Sequence, residues 1–214
     1  MSQRDRFVAL HILAGCLFLF AGLLGLDRAI AEYLAASGLQ RLWLLDRGTL
    51  LLDTISGKDL SKFLIGLVLT GGGLALLTRA ATRAPGRAVL FVGGVQLLST
   101  LIAGVSKNAF GRLRPFQVLE NGDWDHAWFV DGSSFPSGHA GFYFGLFMPL
   151  AWLFPKWRWP LMIVPWFIAL ARVNANDHFL GDVAASIVLA GVLTLLGARY
   201  IDAKRPGDAK DLAS

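Results

Sequence analysis

Three short segments carry the residues able to do chemistry: Lys107-Asn-Ala-Phe-Gly-Arg-Leu-Arg114-Pro115, Phe135-Pro136-Ser137-Gly138-His139, and Arg172-Val-Asn-Ala-Asn-Asp-His178-Phe-Leu-Gly-Asp182. Lys107, Arg114 and Arg172 could gather positive charge around one anionic group. The planar fork of arginine suits phosphate oxygens, and lysine adds a point charge. Pro136-Ser137-Gly138 reads as a helix start with Ser137 as N-cap, and free N–H groups at a helix N-terminus bind anions. The glycine lets a ligand approach the backbone. His178 and Asp182 are four residues apart, which places them on one helix face. There the carboxylate could hold one imidazole nitrogen as N–H and leave the other free to attack. His139, on another helix, could give a proton to a leaving oxygen.

The elements that must position these groups are apolar. The chain is 55% hydrophobic and 16% charged, against about 45–50% and about 25% for a soluble domain. Long apolar runs cover residues 7–26, 60–78, 88–106, 138–154, 157–171 and 183–198, each near the roughly 17–25 residues a spanning helix needs. The expectation is an all-α polytopic membrane protein: one domain over residues 1–214, about six transmembrane helices, and one or two amphipathic surface helices over residues 27–59. The first run follows Arg4 and Arg6 but exceeds the roughly 7–15 apolar residues of a secretory signal, so it is expected to be a span. Gly71, Gly72, Gly73, Gly93 and Gly94 are tolerated where membrane helices approach closely. Cys16 has no cysteine partner in the chain and reads as a small apolar filler.

Charge sets the expected orientation. The connection from Arg79 to Arg87 is basic without an acid, as is fitting for a cytoplasmic loop, and Lys204, Arg205 and Lys210 add a basic tail. The stretch from Glu120 to Asp131 carries four acids and no lysine or arginine. Both termini are therefore expected in the cytoplasm, with all three motifs on the opposite face. Trp124, Trp128, Trp157 and Trp159 are expected as interfacial anchors. The net charge of +5 is spread between apolar runs, and no nucleic-acid motif accompanies it. Two histidines and an aspartate could suggest zinc, but three nearby cations would repel a dication, so no metal and no cofactor are expected.

The pattern K-x6-R-P, P-S-G-H and R-x5-H-x3-D resembles the three signature motifs of the type-2 phosphatidic acid phosphatase superfamily. One departure is visible: Ala171 stands where the family usually has serine before the third-motif arginine. The resemblance implies a metal-independent, two-step displacement. In it His178 attacks phosphorus, Asp182 orients His178, and His139 protonates the departing oxygen and then activates water. Lys107, Arg114, Ser137, Gly138 and Arg172 would hold the phosphate. Arg112, an extra cation inside the first motif, could contact a second phosphate or sugar of the substrate, or pair with Asp123, Asp125 or Asp131. The implied substrate is a lipid phosphate in a bacterial inner membrane: phosphatidylglycerol phosphate, phosphatidic acid, undecaprenyl pyrophosphate or a lipid A phosphate. A phosphotransferase passing the phosphate to a second lipid would use the same residues. A haloperoxidase fits the spans poorly, and a transporter would not need His178.

Overall fold

The computed structural model describes residues 1–202, so Lys204, Arg205 and Lys210 lie outside the described residues. Nine α-helices and no strand occur among them: α1 (Gln3–Ala21), α2 (Asp27–Ser37), α3 (Trp43–Ile55), α4 (Leu64–Leu77), α5 (Arg83–Phe110), α6 (Pro115–Asn121), α7 (Gly138–Leu153), α8 (Arg158–Asn174) and α9 (Leu180–Asp202). A Ser2–Asp5 capping box opens α1. A π-turn over Gly22–Leu26, with Gly25 at φ 121°, redirects the chain from α1 into α2.

α7 is the central post. It packs against α5, α8 and α9, while α4 packs on α5 and α1 on α9. Its residues Phe142, Tyr143, Phe144, Met148 and Trp152 are almost fully buried. Outward-facing Leu10, Leu13, Leu17, Leu67, Val68, Ile163 and Leu196 remain exposed, giving the molecule an apolar belt suited to lipid. Pro149 and Pro165 lie inside α7 and α8, where neighbouring helices can meet the freed backbone groups. Only Gly73 and Gly93 of the five glycines make a close approach. A Cβ on Gly73 would lie 2.5 Å from the Leu90 nitrogen and one on Gly93 2.6 Å from that of Thr70, so α4 and α5 touch backbone to backbone.

Among the described residues, three helical stretches are long and apolar enough to cross a membrane: Gln3–Ser37, Ala80–Asn121 and Leu180–Ile201. Each of the six expected runs holds a helix, though the second begins only at Leu64, and α4, α7 and α8 have 14, 16 and 17 residues, short of the about 20 that span about 30 Å of hydrocarbon. Protein surrounds α7 on several sides, so its length need not match a bilayer. Residues 27–59 form two helices. α3 buries Leu45, Thr49 and Asp53 at four-residue spacing while Trp43, Leu44, Leu50 and Leu51 face outward.

Candidate active site

Backbone hydrogen bonds tie the three motifs together. Phe116 N–H donates to the Asn176 carbonyl (3.3 Å) and Ser137 N–H to the Asp182 carbonyl (3.0 Å). Gly111 ends α5 in the left-handed region (φ 50°) and donates its N–H to the Lys107 carbonyl at 2.8 Å. A Cβ there would collide with the Val130 carbonyl, so only glycine lets the loop run back along the first motif. Along that run Leu113 N–H donates to Ala127 O (2.8 Å), Phe129 N–H to Phe110 O (2.9 Å) and Ser134 N–H to Arg112 O (2.8 Å).

His178 sits just before α9 instead of on it. Phe179 is the N-cap, and the Asp182 carboxylate reaches back to accept its N–H at 2.9 Å. Asp182 Oδ2 lies 3.7 Å from His178 Nδ1, beyond a normal hydrogen bond. Ser134 fills the gap: its hydroxyl donates to Asp182 Oδ2 and its oxygen stands 3.5 Å from His178 Nδ1. Nε2 of His178 has no protein partner among the described residues. Burial pushes this imidazole down to about 4, against the pull of Asp182, and Lys107 and Arg172 push the same way. At neutral pH the ring is therefore uncharged with a free lone pair, the form a nucleophile needs.

His178 shares a cavity of about 210 Å³ with Lys58, Lys62, Thr100, Gly104, Lys107, Arg114, Gly138 and His139. Lys107 donates to the Ser133 carbonyl, and an Arg114 nitrogen lies 3.5 Å from the Ser133 hydroxyl. Ser137 caps α7, accepting from Ala140 N–H at 3.4 Å, and is fully buried. The N–H groups of Gly138 and His139, the first two of α7, have no protein partner among the described residues. An anion in the cavity would meet them.

Arg172 does not line the cavity. Its guanidinium pairs with Asp177, which also receives Arg41 at 3.2 Å, and its Nε is buried without a partner. Arg112 departs furthest from expectation. It is 5% exposed and pairs neither with Asp123, Asp125 nor Asp131. One nitrogen donates to Asp182 Oδ1 (2.6 Å) and another to Asp27 Oδ2 (2.7 Å), while Trp128 and Phe179 cover its faces at 4.3 and 4.0 Å. With both terminal nitrogens engaged and its unpartnered Nε buried, it offers no accessible edge to a headgroup. Trp128 thus serves as a lid on Arg112, and Trp124 packs 6.2 Å from Phe179; Trp157 and Trp159 are exposed.

Three site residues carry no motif. Ser134 gave only a weak signal, a serine just before the P-S-G-H segment. Asp53 and Lys58 come from α3 and the turn after it. Asp53 Oδ2 lies 2.9 Å from both His139 Nε2 and Lys58 Nζ, and Lys58 Nζ lies 2.6 Å from the same His139 nitrogen. Burial works against the Asp53 carboxylate, but His139 and Lys58 outweigh it and hold it well below the usual range. Burial also lowers the Lys58 ammonium, with Asp53 opposing. No group of three or more His, Cys, Asp or Glu that could hold a metal ion occurs among the described residues.

The sequence also matches known proteins. The family model described as the PAP2 superfamily matches residues 88–206. A lipid A 1-phosphatase of Rhizobium johnstonii is 31% identical over 133 residues, 59% of this chain and 54% of that protein. A lipid A 1-phosphatase of Rhizobium etli is 30% identical over 133 residues, 59% of this chain and 57% of that protein. The chain thus spans little more than half the length of these curated relatives. No solved structure matches it.

Proposed function

Because the chain belongs to the PAP2 superfamily, we propose that it is a membrane lipid phosphatase working through a phosphohistidine, with the 1-phosphate of lipid A as its foremost candidate substrate. The observation that carries this reading is the buried His178, which shares a cavity with Lys107, Arg114, the start of α7 and His139 and has no protein partner on Nε2 among the described residues. In the first step Nε2 attacks phosphorus, the phosphorus–oxygen bond to the lipid breaks, and the leaving oxygen takes a proton from His139. In the second, water attacks the phosphoenzyme while giving a proton to His139. The phosphorus–nitrogen bond breaks, its electrons return to His178, and inorganic phosphate leaves. Lys107, Arg114 and the N–H groups of Gly138 and His139 would stabilise the equatorial oxygens, which gather charge in the transition state. Arg172 contributes at longer range, unless substrate draws it from Asp177. Arg112 supports Asp182 instead of touching the substrate, and no step needs a metal.

The names of the relatives favour lipid A 1-phosphate over phosphatidylglycerol phosphate, phosphatidic acid and undecaprenyl pyrophosphate. The proposed location is a bacterial inner membrane with the site on the periplasmic face. α5, with 28 residues, is about 42 Å long at about 1.5 Å per residue. It therefore puts the basic Arg79–Arg87 connection at the end opposite Lys107 and the acidic loop, as the charge rule for cytoplasmic loops asks. Phosphate release from purified lipid phosphates, with and without chelator, tests the proposal. Release from lipid A 1-phosphate that persists in excess chelator is expected. Activity that vanishes with chelator and returns with a divalent ion would overturn the mechanism. Loss of lipid phosphate without free phosphate would mean transfer to a second lipid.

A further inference from the structure

The carboxylate facing His139 belongs to α3, a helix without motif residues, and its placement follows from the local fold. Leu45, Thr49 and Asp53 form the buried stripe of α3, so Asp53 points into the protein from the last turn of the helix. α3 then closes with the chain turned through Gly57 (φ 69°): Lys58 N–H donates to the Asp53 carbonyl (2.9 Å) and Gly57 N–H to the Thr54 carbonyl (3.1 Å). This pair of bonds is the Schellman arrangement, and it returns Lys58 to the side of Asp53. On α7, His139 and Tyr143 are four residues apart and share a face. Tyr143 donates its hydroxyl to Asp53 Oδ1 at 2.8 Å, which fixes the carboxylate with Oδ2 toward His139.

His139 Nε2 therefore has two neighbours, and one tautomer cannot satisfy both. An ammonium only donates, so Lys58 can bond Nε2 only when that nitrogen carries no proton; Asp53 can bond it only when it does. Whenever the ring is doubly protonated, the Nε2 proton can go only to Asp53. On giving up its other proton, the ring is left with hydrogen on Nε2 and a lone pair on Nδ1, which has no protein partner among the described residues. Water activation in the second step needs that lone pair. We propose that Asp53 is a positioning residue for His139, holding the proton on Nε2 so that Nδ1 gives and then regains the proton of the reaction. Lys58 keeps Asp53 ionised. The inference rests on the reading of His139 as the acid and base of the phosphatase.

The test compares Asp53→Asn, His139→Ala and the double variant in the full-length protein, on lipid A 1-phosphate and on p-nitrophenyl phosphate, whose leaving group needs little protonation. Asp53→Asn is expected to lose about 10²-fold on the lipid, within the roughly 10²–10⁴-fold of general acid–base catalysis, and much less on the nitrophenyl ester. In the His139→Ala background it should cost less than about threefold, because its route of action is gone. Full additivity, or equal loss on both substrates with His139→Ala selective, overturns the proposal alone. Equal loss on both substrates for His139→Ala itself overturns the underlying reading. If Asp53→Asn does not fold, Tyr143→Phe carries the test, with the same substrate-selective pattern at smaller size expected and an unselective loss overturning it. The chain has four histidines, so nitrogen NMR of labelled protein adds a direct check. Neutral His139 should carry its proton on Nε2, and a proton on Nδ1 would overturn the proposal.

Discussion

His178 is 3% exposed, and its carboxylate comes from the helix it precedes. His139 keeps about a quarter of its side chain open, and its carboxylate comes from α3, 86 residues earlier. The two rings line one cavity but are held differently. Around His178 the partners are enclosed: Ser134 stands between it and Asp182, and Arg112 then Asp27 follow behind Asp182 with little water access. That environment suits a nitrogen that must stay neutral and aligned. His139 sits between an acid and an ammonium, an environment suited to a proton that comes and goes. On the proposed mechanism, enclosure suits His178 to attack phosphorus, while a contested nitrogen suits His139 to exchange a proton.

Removing each ring gives the largest expected contrast. His178→Ala should lose about 10⁶-fold in turnover, the order seen when a covalent nucleophile is deleted, and equally on lipid and activated esters. His139→Ala should lose roughly 10²–10⁴-fold, mostly on the lipid. Equal behaviour of the two variants, measured as turnover on both substrates, would erase the distinction.

Next in size is Arg112. Arg112→Met leaves Asp27 and Asp182 buried without their common cation, which should cost about 3–5 kcal/mol of stability, read as a fall in thermal unfolding in detergent. A change below about 1 kcal/mol would mean that Arg112 does not hold the His178 side of the site together. Ser134→Ala should be milder. It removes the hydroxyl between Asp182 and His178 and should lower turnover about tenfold, about 1.4 kcal/mol, with little change in KM. An unchanged rate would mean that Asp182 reaches His178 without it.

The pH profile sharpens the comparison further. The His178 value is lowered from the ordinary 6.5 to about 4, so the neutral nucleophile persists as pH falls and is lost only near pH 4. The acid limb of kcat/KM should therefore lie near pH 4. A limb near 6.5 would mean that His178 is more solvated than its enclosure implies.

The His178 side was largely legible in the sequence because its residues lie in short contiguous segments whose spacing carries the information. Even there, the helix begins after His178, so Asp182 caps the turn and Ser134 enters the gap. The pairing of Arg112 is not legible in the sequence because its partner Asp27 is 85 residues away, and sequence charge alone favours the nearby acids. The α3 face was visible as an amphipathic stripe, but a stripe does not say that Asp53 meets His139. Six helical runs were legible from hydropathy, while their lengths depend on caps and on how much protein surrounds each one. Among them, α7 is the clearest case.

The central claim is that His178 carries the phosphate between substrate and water. Acid-sensitive phosphohistidine can be trapped by rapid quench into alkaline denaturant with a substrate labelled in its phosphate, followed by peptide mapping. The account predicts label on the peptide containing His178, formed and discharged at rates compatible with turnover and absent from His178→Ala. Label on any other residue, or full turnover in His178→Ala, would contradict it.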